Sequence, residues 1–194
     1  MNYKDLFDTE EIIVEDRKTG KEKTVTIYKP KYEKGKIFAP LRDKHLDAKP
    51  EEKVRQEFIC RLINDYGYTL EQMAQEFPLT VAKRGTGRAS ADIVVWRTRE
   101  EKEQKKPPFL VVELKAEELK LKPEDFYQGY NYATWSRSKL FVISNGKIIK
   151  IYKTVEEEIP LNLHPVSEIP QAKDIVDNAK LEDILSKTKE FTGD

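Results

Sequence analysis

Two apolar runs, Ala91-Asp92-Ile-Val-Val-Trp96 and Phe109-Leu-Val-Val-Glu113-Leu-Lys115, limit how this chain can fold more than any other feature. Each has the length of a strand, and both are rich in the β-branched residues that fit a pleated surface. Side chains alternate along a strand, so Glu113 and Lys115 project to one side and Leu114 to the other. An acid near the head of one run, with an acid and an amine at the tail of the next, gathers three charges at one edge of an apolar sheet. Burying carboxylates there is costly without a cation, and hard oxygen ligands of this kind suit Mg²⁺ or Mn²⁺. Asp92, Glu113 and Lys115 therefore read as a metal site with a lysine beside it.

The surrounding pattern places these runs in a mixed α/β order. Upstream, Glu11-Ile-Ile-Val14 and Thr24-Val-Thr-Ile-Tyr28 predict a hairpin around the turn-rich Asp16–Gly20, and Pro30, Pro40 and Pro50 punctuate an irregular connection. Pro50 opens a helix, because proline suits the first helical position and Glu51 and Glu52 complement the helix dipole. Its apolar set is Val54, Phe58, Leu62, Ile63 and Tyr66, and Gly67 stops it. A short helix is expected over 71–76, then a first core strand over 78–82, strands over 91–97 and 109–115, and a second helix from Pro123 to about Arg137. Leu140–Ile143 returns as a strand. Asn145-Gly146 then signals a hairpin that pairs 147–154 back on it. The tail is acidic and proline-bounded over 156–170, with amphipathic helix near Ile175, Leu181 and Leu185.

Composition narrows the class. The chain has 194 residues, long enough for one domain with a real core, and its 35 basic and 35 acidic residues cancel. Net charge thus gives no global argument for nucleic-acid binding, but Lys83, Arg84 and Arg88 stand just before Asp92 and make a local one. No apolar run reaches the ~18 residues of a membrane span, and no secretory leader opens the chain, so a cytoplasmic protein without membrane contact is expected. Cys60 is alone, which excludes an internal disulfide. His45 and His164 have no partners at zinc-ligand spacing.

Four pieces in order, Pro50-Glu-Glu52-Lys-Val-Arg55-Gln56, Ala91-Asp92-Ile-Val-Val95, Val112-Glu113-Leu-Lys115 and Gln128-Gly-Tyr-Asn-Tyr132, together resemble the PD-(D/E)xK nuclease superfamily. More closely, the chain resembles the N-terminal nuclease domain of type I restriction subunits and related restriction-modification proteins. The likeness spans about residues 50 to 152, with Ala91 where the family carries a proline. It implies a restriction-endonuclease-like core: a central mixed β-sheet flanked by helices. It further implies Asp92, Glu113 and the Leu114 carbonyl as ligands of Mg²⁺ (or Mn²⁺), Lys115 as the residue orienting water or stabilising transition-state charge, and Glu52 as an extra carboxylate. Gln128 and Tyr132 correspond to a QxxxY element. Lys83, Arg84, Arg88, Arg55 and Gln56 are then the candidate DNA contacts.

The resemblance divides the chain into an extension over 1–49 with its hairpin, a nuclease core over 50–155 and a partly helical extension over 156–194. It implies a metal-dependent DNA endonuclease domain of a restriction-modification system, with motor, methyltransferase or specificity domains or subunits as partners. No Walker lysine motif or adenine-methyltransferase signature occurs in the chain, so such activities belong elsewhere. Two other readings stay open: a catalytically silent nucleic-acid-binding or assembly module with this fold, and a nuclease for RNA or recombination intermediates. Blander readings also stand beside each residue. Glu113 and Lys115 form a surface ion pair if their strand is solvated, although the apolar run 109–112 favours a covered strand. Glu52 competes with Glu51 and Glu57 and serves the helix dipole wherever it points. Lys83–Arg88 reads as a solvated turn without its position before Asp92.

Overall fold

A computed structural model describes residues 2–16, 19–78, 90–154 and 164–186. One helical turn, α1 (Tyr3–Leu6), precedes a hairpin of β1 (Asp8–Glu15) and β2 (Glu22–Lys29), paired in register from Asp8 opposite Lys29 to Glu15 opposite Glu22. The proline-punctuated stretch expected to be irregular instead forms a three-stranded antiparallel sheet of β3 (Tyr32–Glu33), β4 (Lys36–Ala39) and β5 (Lys44–Asp47). Strands of two to four residues are too short to show a period in sequence.

Helix α2 (Pro50–Asn64) begins at its proline with Glu51 and Glu52 in the first turn. It ends at Gly67, whose φ of +72° admits the left-handed cap, with Gly67 N–H donating to Ile63 O and Tyr68 N–H to Leu62 O. The next segment differs from expectation. The helix expected over 71–76 is a single 3-10 turn at Leu70–Gln72, and the first core strand is β6 (Met73–Pro78). Pairing with a buried neighbour decides this: Met73, Ala74 and Gln75 sit opposite Val95, Val94 and Ile93. Residues 79–89, which include most of the expected 78–82 strand and the Lys83, Arg84 and Arg88 cluster, lie outside the described residues.

The remaining elements are β7 (Ser90–Val95), a short α3 (Arg99–Glu103), β8 (Leu110–Leu114), α4 (Pro123–Trp135), β9 (Leu140–Ser144), β10 (Ile149–Lys153), β11 (His164–Pro165) and α5 (Asn178–Ser186). The main sheet has six strands in the order β11-β10-β9-β8-β7-β6. Only β8 and β9 are parallel, joined by the crossover helix α4; the other neighbours are antiparallel. The Asn145-Gly146 turn works as expected, with Asn145 Oδ1 accepting the Lys147 and Ile148 amide hydrogens.

Both faces of the central strands are covered, which is why β8 and β9 are buried throughout. Leu110, Val112 and Leu114 of β8 pack with Val54, Phe58, Ile59 and Leu62 of α2, and Ile169, Ile175, Leu181 and Leu185 of the tail join the same core. Val111 of β8 packs on the other side with Tyr130 and Ala133 of α4 and Phe141 and Ile143 of β9. The result is an α/β fold, a mixed sheet between helices, consistent with a restriction-endonuclease-like core. Among the described residues no helix is long and apolar enough to cross a membrane.

Candidate functional site

The β7–β8 register pairs Ile93 with Val112, Val94 with Val111 and Val95 with Leu110. The pairing ends there, yet Asp92 stays beside the end of β8, close enough to Glu113 that the two negative charges repel. The alternation that puts Val111 against α4 sends Glu113 the same way. There the helix comes very close, since a Cβ added at Gly129 would lie 3.1 Å from the Glu113 Cβ and overlap the Phe141 ring. Glu113 is thereby only 5 % exposed.

Partners then fix the three charges. Asp92 Oδ2 accepts the Leu114 amide hydrogen at 2.7 Å, in place of a ladder bond, and its Oδ1 accepts from Arg55 Nη2 at 2.6 Å. Lys115 Nζ donates to Glu113 Oε1 at 3.0 Å and lies 3.5 Å from Asp125 Oδ1 in the first turn of α4. Burial and the charge of Asp92 raise the Glu113 carboxyl to about 7, despite Lys115. Partial burial works to lower the Lys115 pKa, but Glu113, Asp125 and Asp92 together outweigh it, and the ammonium is held above its ordinary value. Lys115 is thus a charged donor rather than a base.

The first turns of α2 supply a second, buried layer. Arg55 donates to Glu52, to Glu51 Oε1 at 3.1 Å and to Asp92, so it bridges the helix to β7. Glu52 Oε1 accepts from Gln56 Nε2 at 2.7 Å and from Gln75 Nε2 at 3.2 Å. Arg55 and Gln56, expected to face DNA, are 5 % and 1 % exposed and turned into this cluster. Glu52, expected to meet a cation, has both oxygens bonded to protein donors. Beyond them, Glu76 pairs with Arg42 from the turn before β5 and stands 3.8 Å from Arg55. A groove of about 370 Å³, lined by Arg42, Glu51, Glu52, Arg55 and Glu76, opens beside the cluster.

Gln128 and Tyr132, four apart on α4, bond to each other at 2.8 Å, with Gln128 exposed. Among the described residues no group of three or more His, Cys, Asp or Glu side chains is arranged to hold a metal ion, because Arg55 stands between Glu52 and Asp92. Two carboxylates remain. A carboxylate offers about four lone-pair directions, so Asp92 with two bonds keeps acceptor capacity, and so does Glu113, whose ionisation burial and Asp92 disfavour despite its bond from Lys115. Asp92, Glu113 and the Leu114 carbonyl are the oxygens that suit a hard divalent cation.

Gln75, Glu76, Arg42, Asp125 and Gly129 were not among the site residues expected from sequence. A glycine inside Gln128-Gly-Tyr-Asn-Tyr132 was the available signal, since mid-helix glycine is unfavourable unless a close approach requires it.

None of the curated proteins compared matches the chain. The family described as type I restriction enzyme R protein N terminus (HSDR_N) matches residues 50–170, from the first turn of α2 past the end of the main sheet. With most of its length matched, the chain belongs to the family of type I restriction enzyme R protein N-termini.

Proposed function

We propose that this chain is a Mg²⁺-dependent DNA endonuclease domain that hydrolyses phosphodiester bonds within a restriction-modification system. Family membership supplies the restriction context. The observation that carries the chemistry is Asp92 held at the Leu114 amide beside Glu113, with Lys115 bonded to Glu113, a carboxylate pair whose repulsion a divalent cation would relieve. Asp92, Glu113 and the Leu114 carbonyl would hold that cation. When bound, it supplies Lewis acidity toward the scissile phosphate and lowers the pKa of a coordinated water.

The protein's own groups do the rest. Leu114 N–H and Arg55 fix the Asp92 carboxylate, and Glu52 with Gln56 and Gln75 fixes Arg55. Arg55 and Glu52 are positioning residues in this reading. Lys115, kept protonated between Glu113 and Asp125, offers a positive donor where negative charge builds on the phosphate. DNA, with other domains or subunits of a restriction system, is the expected partner.

Supercoiled plasmid incubated with Mg²⁺ or Mn²⁺ tests this. Nicking or linearisation is expected, absent in EDTA and reduced at least ~100-fold by Asp92→Ala, which removes a cation ligand, and by Lys115→Ala, which removes one transition-state donor. Cleavage that survives both substitutions, or that needs no metal, defeats the reading. One observation favours a second reading, a catalytically silent binding module: protein donors already hold both Asp92 oxygens. Plasmid binding without cleavage under every metal tried would select it.

A further inference from the structure

On the α4 side of the sheet, running along β6 from Ala74 to Pro78 and up to Trp96, lies a cavity of about 550 Å³, within the range of pockets that enclose small organic ligands. Its floor is apolar. Trp96, 2 % exposed, meets Phe77 edge-on at 5.3 Å and has its indole N–H satisfied by Lys106 O at 2.7 Å. Lys102 closes one side, its Nζ bonded to Met73 O and 5.9 Å from the Trp96 ring centre. The wall is different, because Trp135 at the end of α4 is 50 % exposed, a large aromatic face left to solvent. Lys105 and Lys106 are exposed on the rim, and none of the lining residues is acidic.

An aromatic face with a one-sided cationic rim is complementary to a flat ring carrying a negative charge. Nucleotides are such ligands, and aromatic stacking beside basic side chains is the means by which proteins hold unpaired bases. A base inside a duplex is covered on both faces and cannot enter a pocket of this shape. Position points the same way. Asp92 on β7 and Trp96 just past its end are four residues apart, at most about 13 Å at ~3.3 Å per residue, and α4 runs beside both sites, Asp125 lying 3.5 Å from Lys115 and Trp135 lining the cavity.

We propose that this cavity binds an unpaired nucleobase of a single-stranded DNA segment, with the base stacked on Trp135 and its phosphate held by Lys105 and Lys106. The choice of nucleic acid rests on the DNA reading above, but the binding itself needs neither metal nor cleavage. Both tryptophans of the chain line the cavity, so intrinsic fluorescence reports directly on it.

The probe is a fluorescein-labelled oligothymidylate of eight nucleotides for anisotropy, and the same oligonucleotide unlabelled for tryptophan quenching, both in EDTA with the full chain. Saturable quenching that tracks the anisotropy curve is expected. Affinity should fall roughly ten-fold or more in Trp135→Ala, the scale of one lost stacking contact, and likewise in Lys105→Glu/Lys106→Glu. All these residues are exposed, so the variants should keep the wild-type circular dichroism spectrum. Asp92→Ala should quench like wild type. Binding without quenching, equal affinity in Trp135→Ala, or equal quenching by a duplex of the same length would overturn the proposal. Quenching by a protein that never cuts plasmid would uphold this site while defeating the nuclease reading.

Discussion

Glu113 is the residue on which the electrostatics of the cluster turns. Its carboxyl is raised from an ordinary 4.5 to about 7 by burial first and by Asp92 second. Below pH 4.5 it is protonated in folded and unfolded chains alike. Between 4.5 and about 7 the unfolded chain loses the proton and the native state keeps it, so metal-free stability falls as pH rises, by up to ~3 kcal/mol, and is flat above. Urea denaturation from pH 4.5 to 8 should show that decline in wild type, and Glu113→Gln should lack it; a variant with an unchanged slope would remove Glu113 as the cause. Mg²⁺ binding only the native protein should raise the melting temperature more at pH 8 than at pH 5, and not at all in Glu113→Gln. Arg55 is the second critical residue. Arg55→Ala leaves Glu52 buried and short of its cation, with an expected cost of about 3–5 kcal/mol in denaturant titrations. Replacing the pair together, as Arg55→Met with Glu52→Leu, should cost much less.

Among the elements, α4 sets the tightest tolerance. Gly129 lets it lie against Phe141 and Glu113, while Tyr130 and Ala133 fill the core on either side. Gly129→Ala gains helix propensity but forces the helix outward, and overpacking of this kind typically costs ~1–3 kcal/mol. Thermal denaturation should record a net loss. A stabilised Gly129→Ala would mean the helix is free to shift. This contact was the part of the site least visible in sequence, because a spacing such as Gln128-x-x-x-Tyr132 predicts a helix face but not how near that helix comes. Asp92, Glu113 and Lys115, by contrast, were legible, since the strand period of two fixes which side chains share an edge. The inward turn of Arg55 and Gln56 was not: position on α2 gave their common face, and only the place of β6, moved forward to Met73–Pro78, shows that Gln75 waits there to bind Gln56 and Glu52. The small sheet at β3–β5 escaped for a simpler reason, being built from strands shorter than any detectable period.

For the whole molecule, the tail decides whether the sheet keeps its inner face. Ile169, Ile175, Leu181 and Leu185 are all at most 5 % exposed and join the core shared by α2 and the central strands. Their backbone is tied down as well: Tyr68 donates its hydroxyl to Pro170 O at 2.9 Å, Ala172 N–H donates to Tyr66 O at 2.8 Å, and Arg97 Nε donates to Ile175 O at 2.7 Å. At ~1.5–3 kcal/mol for each fully buried aliphatic side chain, four of them contribute roughly 6–12 kcal/mol, the size of a domain's entire net stability. The family match ends at residue 170, so it excludes Ile175, Leu181 and Leu185, yet the packing makes them part of what seats α2. A chain cut to residues 1–163 should therefore show no cooperative thermal transition, and with α2 unseated, Arg55 should no longer hold Asp92. Leu181→Ala and Leu185→Ala, each losing about 2–5 kcal/mol, should lower the midpoint while keeping the transition cooperative. A 1–163 chain melting within a few degrees of the intact one would show instead that α2 and the sheet hold each other unaided.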